Sequence, residues 1–176
     1  ADTLRLPPLD SLEAALAALP PASHGLTVLP FWAGQRAPDY DDDARAVIHG
    51  LSLNTSPLQI AQAMMEAVAC SFGQIYACLL PLLPAKHAII AGGGALERSP
   101  TWARMICDVL GRPLLLSDVA EATARGTALY AIRALGLAAE PAALPTSLCQ
   151  PDPDRHRRYA QAGAAALDLQ RRLGGP

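Results

Sequence analysis

A short apolar run, His87 to Ala91, empties directly into Gly92-Gly93-Gly94-Ala95, and Ser99-Pro100 follows a few residues later. No other feature constrains the fold as much. HAIIA is short and apolar, the pattern of a strand covered on both faces of a sheet. Glycine permits positive φ and lets a ligand reach the backbone with no Cβ in the way. Ser is a good N-cap and Pro suits the first helical position, so a helix opens at Ser99-Pro100. The first N–H groups of a helix lack partners, and its dipole is positive there. Strand, glycine turn and helix together form a place for a phosphate. The same residues also serve as a tight turn with no ligand.

The pattern around that turn repeats its logic. Residues 9–19 predict a short amphipathic helix ended by Pro20-Pro21. Gly25–Phe31 and Val47–Leu53 read as strands joined by the loop AGQRAPDYDDDA. Ser56-Pro57 opens a long helix to about Leu80. The helix from Ser99-Pro100 ends at Gly111, with Pro113 just beyond. Leu114–Leu116 is another buried strand, Ala120–Leu135 a helix, residues 137–153 Ala/Pro-rich and irregular, and Pro153–Leu173 a final helix. The basic residues of that last helix, Arg155 among them, read as a solvated face. Alternating strands and helices predict an α/β layer with crossovers and a largely parallel sheet.

Composition narrows the function classes. With 51% hydrophobic and 17% charged residues the chain is globular. A net charge of −2 advertises no basic face, which argues against nucleic acid. Leu58–Leu83 is long enough for a bilayer, but Gln59, Gln62, Glu66, Ser71 and Gln74 interrupt it and no basic cluster flanks it. The expectation is a buried helix of a soluble, cytoplasmic protein. Ala1 to Leu9 shows no signal-peptide pattern. Cys70, Cys78, Cys107 and Cys149 include no CxxC, and the histidines complete no metal pattern. Reduced thiols follow, with Cys70 and Cys78 as small core residues.

Other glycine motifs fit less well. A P-loop needs a Lys that does not follow here, and a dinucleotide fingerprint needs a third Gly where Glu97 stands. Asp118, after the next strand, is placed like a ribose-binding acid and keeps the dinucleotide reading open.

Four segments in order resemble the FGGY family of carbohydrate kinases. LPFWAGQRAPDYDDDARAVIHGLSL is similar to LPxLxGERxPxWDPxARGxxxGL, and QIAQAMMEAVACSFGQIYACL to the family helix with ExVA. AGGGALERSPTWARMICDVLGRPL is similar to GGGAxSPxWxQxxADVLGxPV, and EATARGTALYAI to EEAAxGAAxLA. The likeness runs from about Gly25 to the chain's end. FGQIYACL, Arg98 before Ser99, ATARGTAL and the tail PDPDRHRRY lean towards gluconate kinases, while xylulose and related pentulose kinases share the framework. Departures are Gln35 for Glu in GERxP, Ala46 for the Gly after DAR, and Arg104 for the Gln of WxQ.

The resemblance implies a ribonuclease H-like domain of the actin- and hexokinase-like superfamily, truncated at its N-terminal strands, with an added C-terminal helix. It implies a lead-in over 1–24, a nucleotide-binding domain over 25–136, and a linker with a helix over 137–176. ATP with Mg²⁺ is the implied cofactor, and a sugar or sugar acid the substrate, held by another domain. Gly92, Gly93, Gly94 and Ala95 would approach the phosphates and ribose, with Glu97, Arg98 and Ser99 near the adenosine. Gly126 is expected to serve close packing. Arg36 and Asp43 would brace their loop, and Asp41 and Asp42 would be solvated turn residues. The catalytic base would be an Asp of a DxG-type segment upstream of Gly25, and no such motif precedes Gly25. The isolated chain is therefore expected to be inactive, to bind ADP or ATP weakly, and to carry neither catalytic base nor metal ligands. Strand 25–31 is expected at an edge, where it would invite a homodimer.

Overall fold

Helices and short strands alternate along the chain, and a computed structural model describes residues 5–117, 119, 121–137 and 146–174. Helix α1 spans Leu9–Ala17, and strands β1 and β2 span Thr27–Leu29 and Val47–His49. Helix α2 covers Pro57–Leu79, continued by a 3₁₀ turn over Leu80–Leu82. Strand β3 (Ile89–Ala91), α3 (Gly94–Arg98) and α4 (Pro100–Leu110) follow. The chain continues through β4 (Leu114–Ser117), α5 (Ala122–Ala134), β5 (Thr146–Cys149) and α6 (Pro153–Arg172).

The strands form two small sheets. β1 and β2 pair antiparallel, with Val28 opposite Ile48. Both are shorter than the sequence suggests. Pro30 has no N–H to extend the ladder beyond Leu29. The second sheet runs β3-β4-β5. β3 and β4 are parallel, with Ile90 opposite Leu115, but β4 and β5 are antiparallel. The sheet is therefore mixed, and β5 lies inside the segment expected to be irregular. Pairing with the apolar β4 makes a strand of Thr146–Cys149, which its Ala/Pro-rich flank hides in the sequence.

Ser56 caps α2 through a reciprocal pair: Gln59 N donates to Ser56 Oγ (3.2 Å) and Ser56 N donates to Gln59 Oε1 (2.9 Å). The helix was expected to be buried, yet burial is confined to one stripe, Gln62, Ala63, Glu66 and Ala69. Phe72 and Leu79 are exposed. Pro57–Leu82 is long and apolar enough to cross a membrane by length and composition. Two of its buried residues are polar, and both are tied to protein. Glu66 accepts from Ala22 N (3.1 Å), Gln62 Nε2 (2.9 Å) and Tyr159 Oη (3.4 Å). His24 Nδ1 accepts from Leu26 N (3.0 Å), so its Nε2 carries the proton and donates to Glu66 (3.0 Å).

The main core gathers α2, α4, the three-stranded sheet and α6 around Ala69, Met105, Cys107, Leu114 and Tyr159. Full burial of a side chain such as Met105 or Leu114 contributes about 1.5–3 kcal/mol. A second cluster places Leu26, Val28 and Ala63 together. All four cysteines are free. Burial and the Glu66 charge push the Cys70 thiol up to about 12, and burial with the Cys149 thiol does the same to Cys107. Cys78 was expected in the core and is exposed instead, because it lies on a face of α2 that no element covers among the described residues.

One buried carboxylate joins α4 to α6. Asp108 is 0% exposed. Its Oδ1 accepts from Asp152 N (2.8 Å) and Arg104 Nε (3.1 Å), and its Oδ2 accepts from Arg155 Nε (2.6 Å). Arg155 thus departs from the solvated face expected of it: it is paired at the start of α6. His156 Nδ1 donates to the Asp108 carbonyl (2.9 Å). Gly111 ends α4 at φ 60°, and a Cβ there would lie 2.6 Å from the His156 ring. Only glycine meets both demands.

Removing the Asp108 charge leaves Arg155 without its buried partner. Asp108→Asn is expected to lower unfolding free energy by about 3–5 kcal/mol. Arg104→Gln, at a half-exposed position, should cost no more than about 1 kcal/mol. Urea melts monitored by circular dichroism measure both. An unchanged midpoint for Asp108→Asn would show that the clamp is not needed.

Candidate functional site

β3 delivers the chain to a bend that is open to solvent. Gly92, Gly93, Gly94 and Ala95 are all exposed. Gly93 has φ 111° and ψ 151°, a backbone region that is essentially glycine's alone. A Cβ at Gly93 would meet nothing within 4 Å, so the bend is not plugged. At Gly92 a Cβ would stand 3.4 Å from Ser117 Cβ, and at Gly94 one would lie 3.2 Å from the Arg98 guanidinium. Arg98 therefore folds back over the turn it follows. Among the described residues, none of the ion pairs involves Arg98.

The helix expected after the turn arrives sooner and in two pieces. α3 begins at Gly94 and lasts 5 residues, too short for much dipole. α4 is longer, but its N-terminus is already occupied. Ser99 Oγ donates to Glu13 Oε2 (2.9 Å), and Thr101 N donates to Glu13 Oε1 (2.6 Å). Ser99 Oγ also accepts from Trp102 N (3.2 Å). The anion at the head of α4 is thus the carboxylate of α1, and the Ser99 hydroxyl is committed to it. Burial pushes the Glu13 carboxyl up, but the bonds from Thr101 and Ser99 outweigh it and hold the group below its ordinary value. Gly92 to Ala95 and Arg98 remain as the groups that face the open side.

Two grooves flank the bend. One, of about 240 Å³, is lined by Gly92, Leu96, Glu97, Ser117 and Ser147 among others. The other is apolar, between Phe72, Tyr76, Ile90 and Gly92. Ser117 was missed in the sequence, though a signal existed. It is the polar last residue of an apolar strand parallel to β3, and ligands gather beyond the carboxyl ends of parallel strands. Glu13 left no such signal, because 86 residues separate it from Ser99. Asp118 lies outside the described residues.

The loop between β1 and β2 contributes support. Gln35 is buried, its Nε2 donating to Asp39 Oδ2 (2.9 Å) and its Oε1 accepting from Gln170 Nε2 (2.9 Å). A glutamate could not donate to Asp39, so the neutral amide suits this position. Arg36 pairs with Asp42 at the surface. The bracing acid is Asp41, not Asp43: its Oδ1 accepts from Asp43 N (2.9 Å) and Ala44 N (3.2 Å). Gly126 was expected to pack closely, but it is exposed on α5 and a Cβ there meets nothing within 4 Å. Among the described residues no group of three or more His, Cys, Asp or Glu could hold a metal.

Known proteins are similar to this chain in sequence and fold. The sequence model of the FGGY family of carbohydrate kinases, C-terminal domain, matches residues 2–135. Glycerol kinase of Alkalilimnicola ehrlichii is 34% identical over 130 residues, 73% of this chain and 26% of that protein. Gluconokinase of Bacillus subtilis is 25% identical over 136 residues, 77% of this chain and 26% of that protein. The crystal structure of xylulose kinase from Rhodospirillum rubrum is 27% identical and superimposes with a TM-score of 0.75 over 93% of this chain and 33% of its own. Gluconate kinase from Lactobacillus acidophilus, 22% identical with a TM-score of 0.76 over 92% of this chain and 34% of its own, shares the fold. That fold is the ribonuclease H-like, actin/hexokinase-like ATPase fold. The chain spans 26% of the length of the curated relatives named here.

The two glycines predict opposite outcomes. Gly93→Ala should destabilise by about 1–3 kcal/mol. Gly126→Ala, in a helix with open space, should stabilise by about 0.4–1 kcal/mol. Thermal and urea melts of both variants decide the matter, and equal effects would contradict it. Glu13 predicts an acid limb. Its folded pKa lies below 4.5, so its contribution is complete above pH 4.5 and fades as pH falls below that value. Glu13→Gln should be less stable than the parent at neutral pH and lose less on acidification below pH 4.5. Parallel stability–pH curves would contradict the bond network.

Proposed function

Because the chain belongs to the FGGY family of carbohydrate kinases, we propose that it is the nucleotide-holding part of an ATP-dependent kinase that phosphorylates a hydroxyl of a sugar or sugar acid. One observation carries this reading: the open bend at Gly92–Gly94, bare of Cβ atoms, with the Arg98 guanidinium folded back to Gly94. In this reading bare backbone at the bend admits anionic oxygens, and Arg98 supplies positive charge beside them. Glu97 and Ser117, an acceptor and a hydroxyl in the adjoining groove, suit the hydroxyl and amino groups of a nucleoside. Phosphoryl transfer depends mostly on positioning and charge stabilisation. The cradle is this chain's share of that work.

The remaining parts are proposed to lie outside it. We assign no catalytic base to this chain. No described cluster fits a protein-held Mg²⁺, so no step is routed through one. The domain limits follow the same reading: a lead-in to residue 24, the nucleotide-binding domain over 25–136, and the linker and helix beyond. A cytoplasmic setting is proposed with it, supported by the burial of Gln62 and Glu66 against protein along α2.

Gluconate is the proposed substrate, supported by FGQIYACL, by Arg98 before Ser99 and by the PDPDRHRRY tail. The likeness to a xylulose kinase over 93% of this chain supports a pentulose as the second reading. Calorimetric titration with ADP tests the cradle, and Gly93→Val is expected to weaken binding at least tenfold. Equal affinity for the variant would refute it. Loss of a general base costs about 10²–10⁴-fold in rate. The chain is therefore expected to leave gluconate, xylulose and glycerol unphosphorylated with ATP. Turnover of any of them would place a base within these 176 residues.

A further inference from the structure

Two cysteines far apart in the chain meet between α4 and the three-stranded sheet. Cys107 is fully buried on α4, and Cys149, the last residue of β5, is partly exposed. Cys107 Sγ donates to the Cys149 carbonyl (3.2 Å), and the Cys149 thiol lies within hydrogen-bonding reach of Cys107. Cys149 packs against the same core cluster that contains Cys107. The register of β5 on β4 sets Cys149 opposite Leu114, itself a member of that cluster. The meeting point lies across β4 from β3, and α4, β4 and β5 supply all of these contacts. Two neighbouring thiols on different elements are a site that a two-electron oxidation can join.

We propose that Cys107 and Cys149 are a reversible redox site, closed to a disulfide by a small-molecule disulfide such as oxidised glutathione and reopened by thiol. Cys149 starts the exchange because it is the partner that solvent reaches. Its thiolate attacks the oxidant, forms a mixed disulfide and expels one glutathione thiolate. Cys107 then passes its proton to that thiolate, and its sulfur attacks the Cys149 sulfur and expels the second glutathione. Two protein thiols and one oxidant disulfide become one protein disulfide and two small thiols. Burial keeps Cys107 a thiol, with its pKa up at about 12, so the site rests reduced and Cys107 acts second. All four cysteines are free in this resting form. The bond would tie α4 to β5 across 42 positions and so restrict the unfolded chain, which makes the oxidised form the more stable one. None of this depends on the nucleotide reading.

Incubation of the 176-residue chain with oxidised glutathione tests the proposal. Remaining thiols are alkylated, and a non-reduced digest is read by mass spectrometry. The expected result is a peptide pair joined through Cys107 and Cys149, formed with an unchanged circular dichroism spectrum. The urea midpoint should rise with that bond and return to its starting value in dithiothreitol. Cys149→Ser should abolish the rise and leave Cys107 unmodified. The parent chain decides the matter even where that variant fails to fold. Glutathione retained on Cys149 beside an unlinked Cys107 overturns the proposal. So does a bond that forms only as the circular dichroism signal is lost, or a Cys107 and Cys149 left unreacted by oxidant that modifies the exposed Cys78.

Discussion

The buried carboxylate of Asp108 is the contact on which the remaining architecture depends. It is fully enclosed and answered by Arg104, Arg155 and the Asp152 N–H at once. Taking such a charge out of water costs several kcal/mol and is tolerated only with excellent partners. Those partners come from α4 itself and from the first turn of α6, 44 to 47 residues further on. The carboxylate therefore fixes α6 against α4. Tyr159 is then carried over Glu66 of α2, and Gln170 reaches Gln35 in the loop after β1. A single helix–helix clamp sets the frame for both small sheets.

The bend inherits its order from the same helix. α4 is held at its head by Glu13 and near its end by Asp108, so it is fixed in place at both ends. β3 is fixed by its parallel ladder to β4. The backbone between these anchors has little choice of path, and the strained conformation of Gly93 persists because its surroundings determine it. Rigid flanks and a bare turn are what a phosphate cradle requires. A flexible loop would lose entropy on every binding event, whereas this one has lost it on folding.

Much of this was legible in the sequence, for local reasons. Ser56-Pro57 and Ser99-Pro100 announced two helices through capping chemistry, and Gly111 announced the end of one. HAIIA before three glycines announced the strand and the open bend. What escaped were pairings across long separations. Nothing in Glu13 hints at Ser99, and nothing in Arg155 distinguishes it from Arg157 until Asp108 is set beside it. β5 was hidden because a four-residue strand beside an apolar neighbour needs no strong signal of its own. Cys78 and Gly126 were placed in contacts by pattern alone, and both stand in the open because the faces they occupy carry no covering element among the described residues.

The fold and the bend fit together: an ordered turn, proposed above to hold a nucleotide, stands at the end of β3 between two anchored elements. The cradle is the central claim, and amide resonances report on it without relying on a mutation. Titration of ¹⁵N-labelled chain with ADP should shift the backbone signals of Gly92, Gly93, Gly94 and Ala95 first and furthest, with Ser117 next. Saturating ADP that leaves those amides unmoved, or that moves a different region instead, would contradict it.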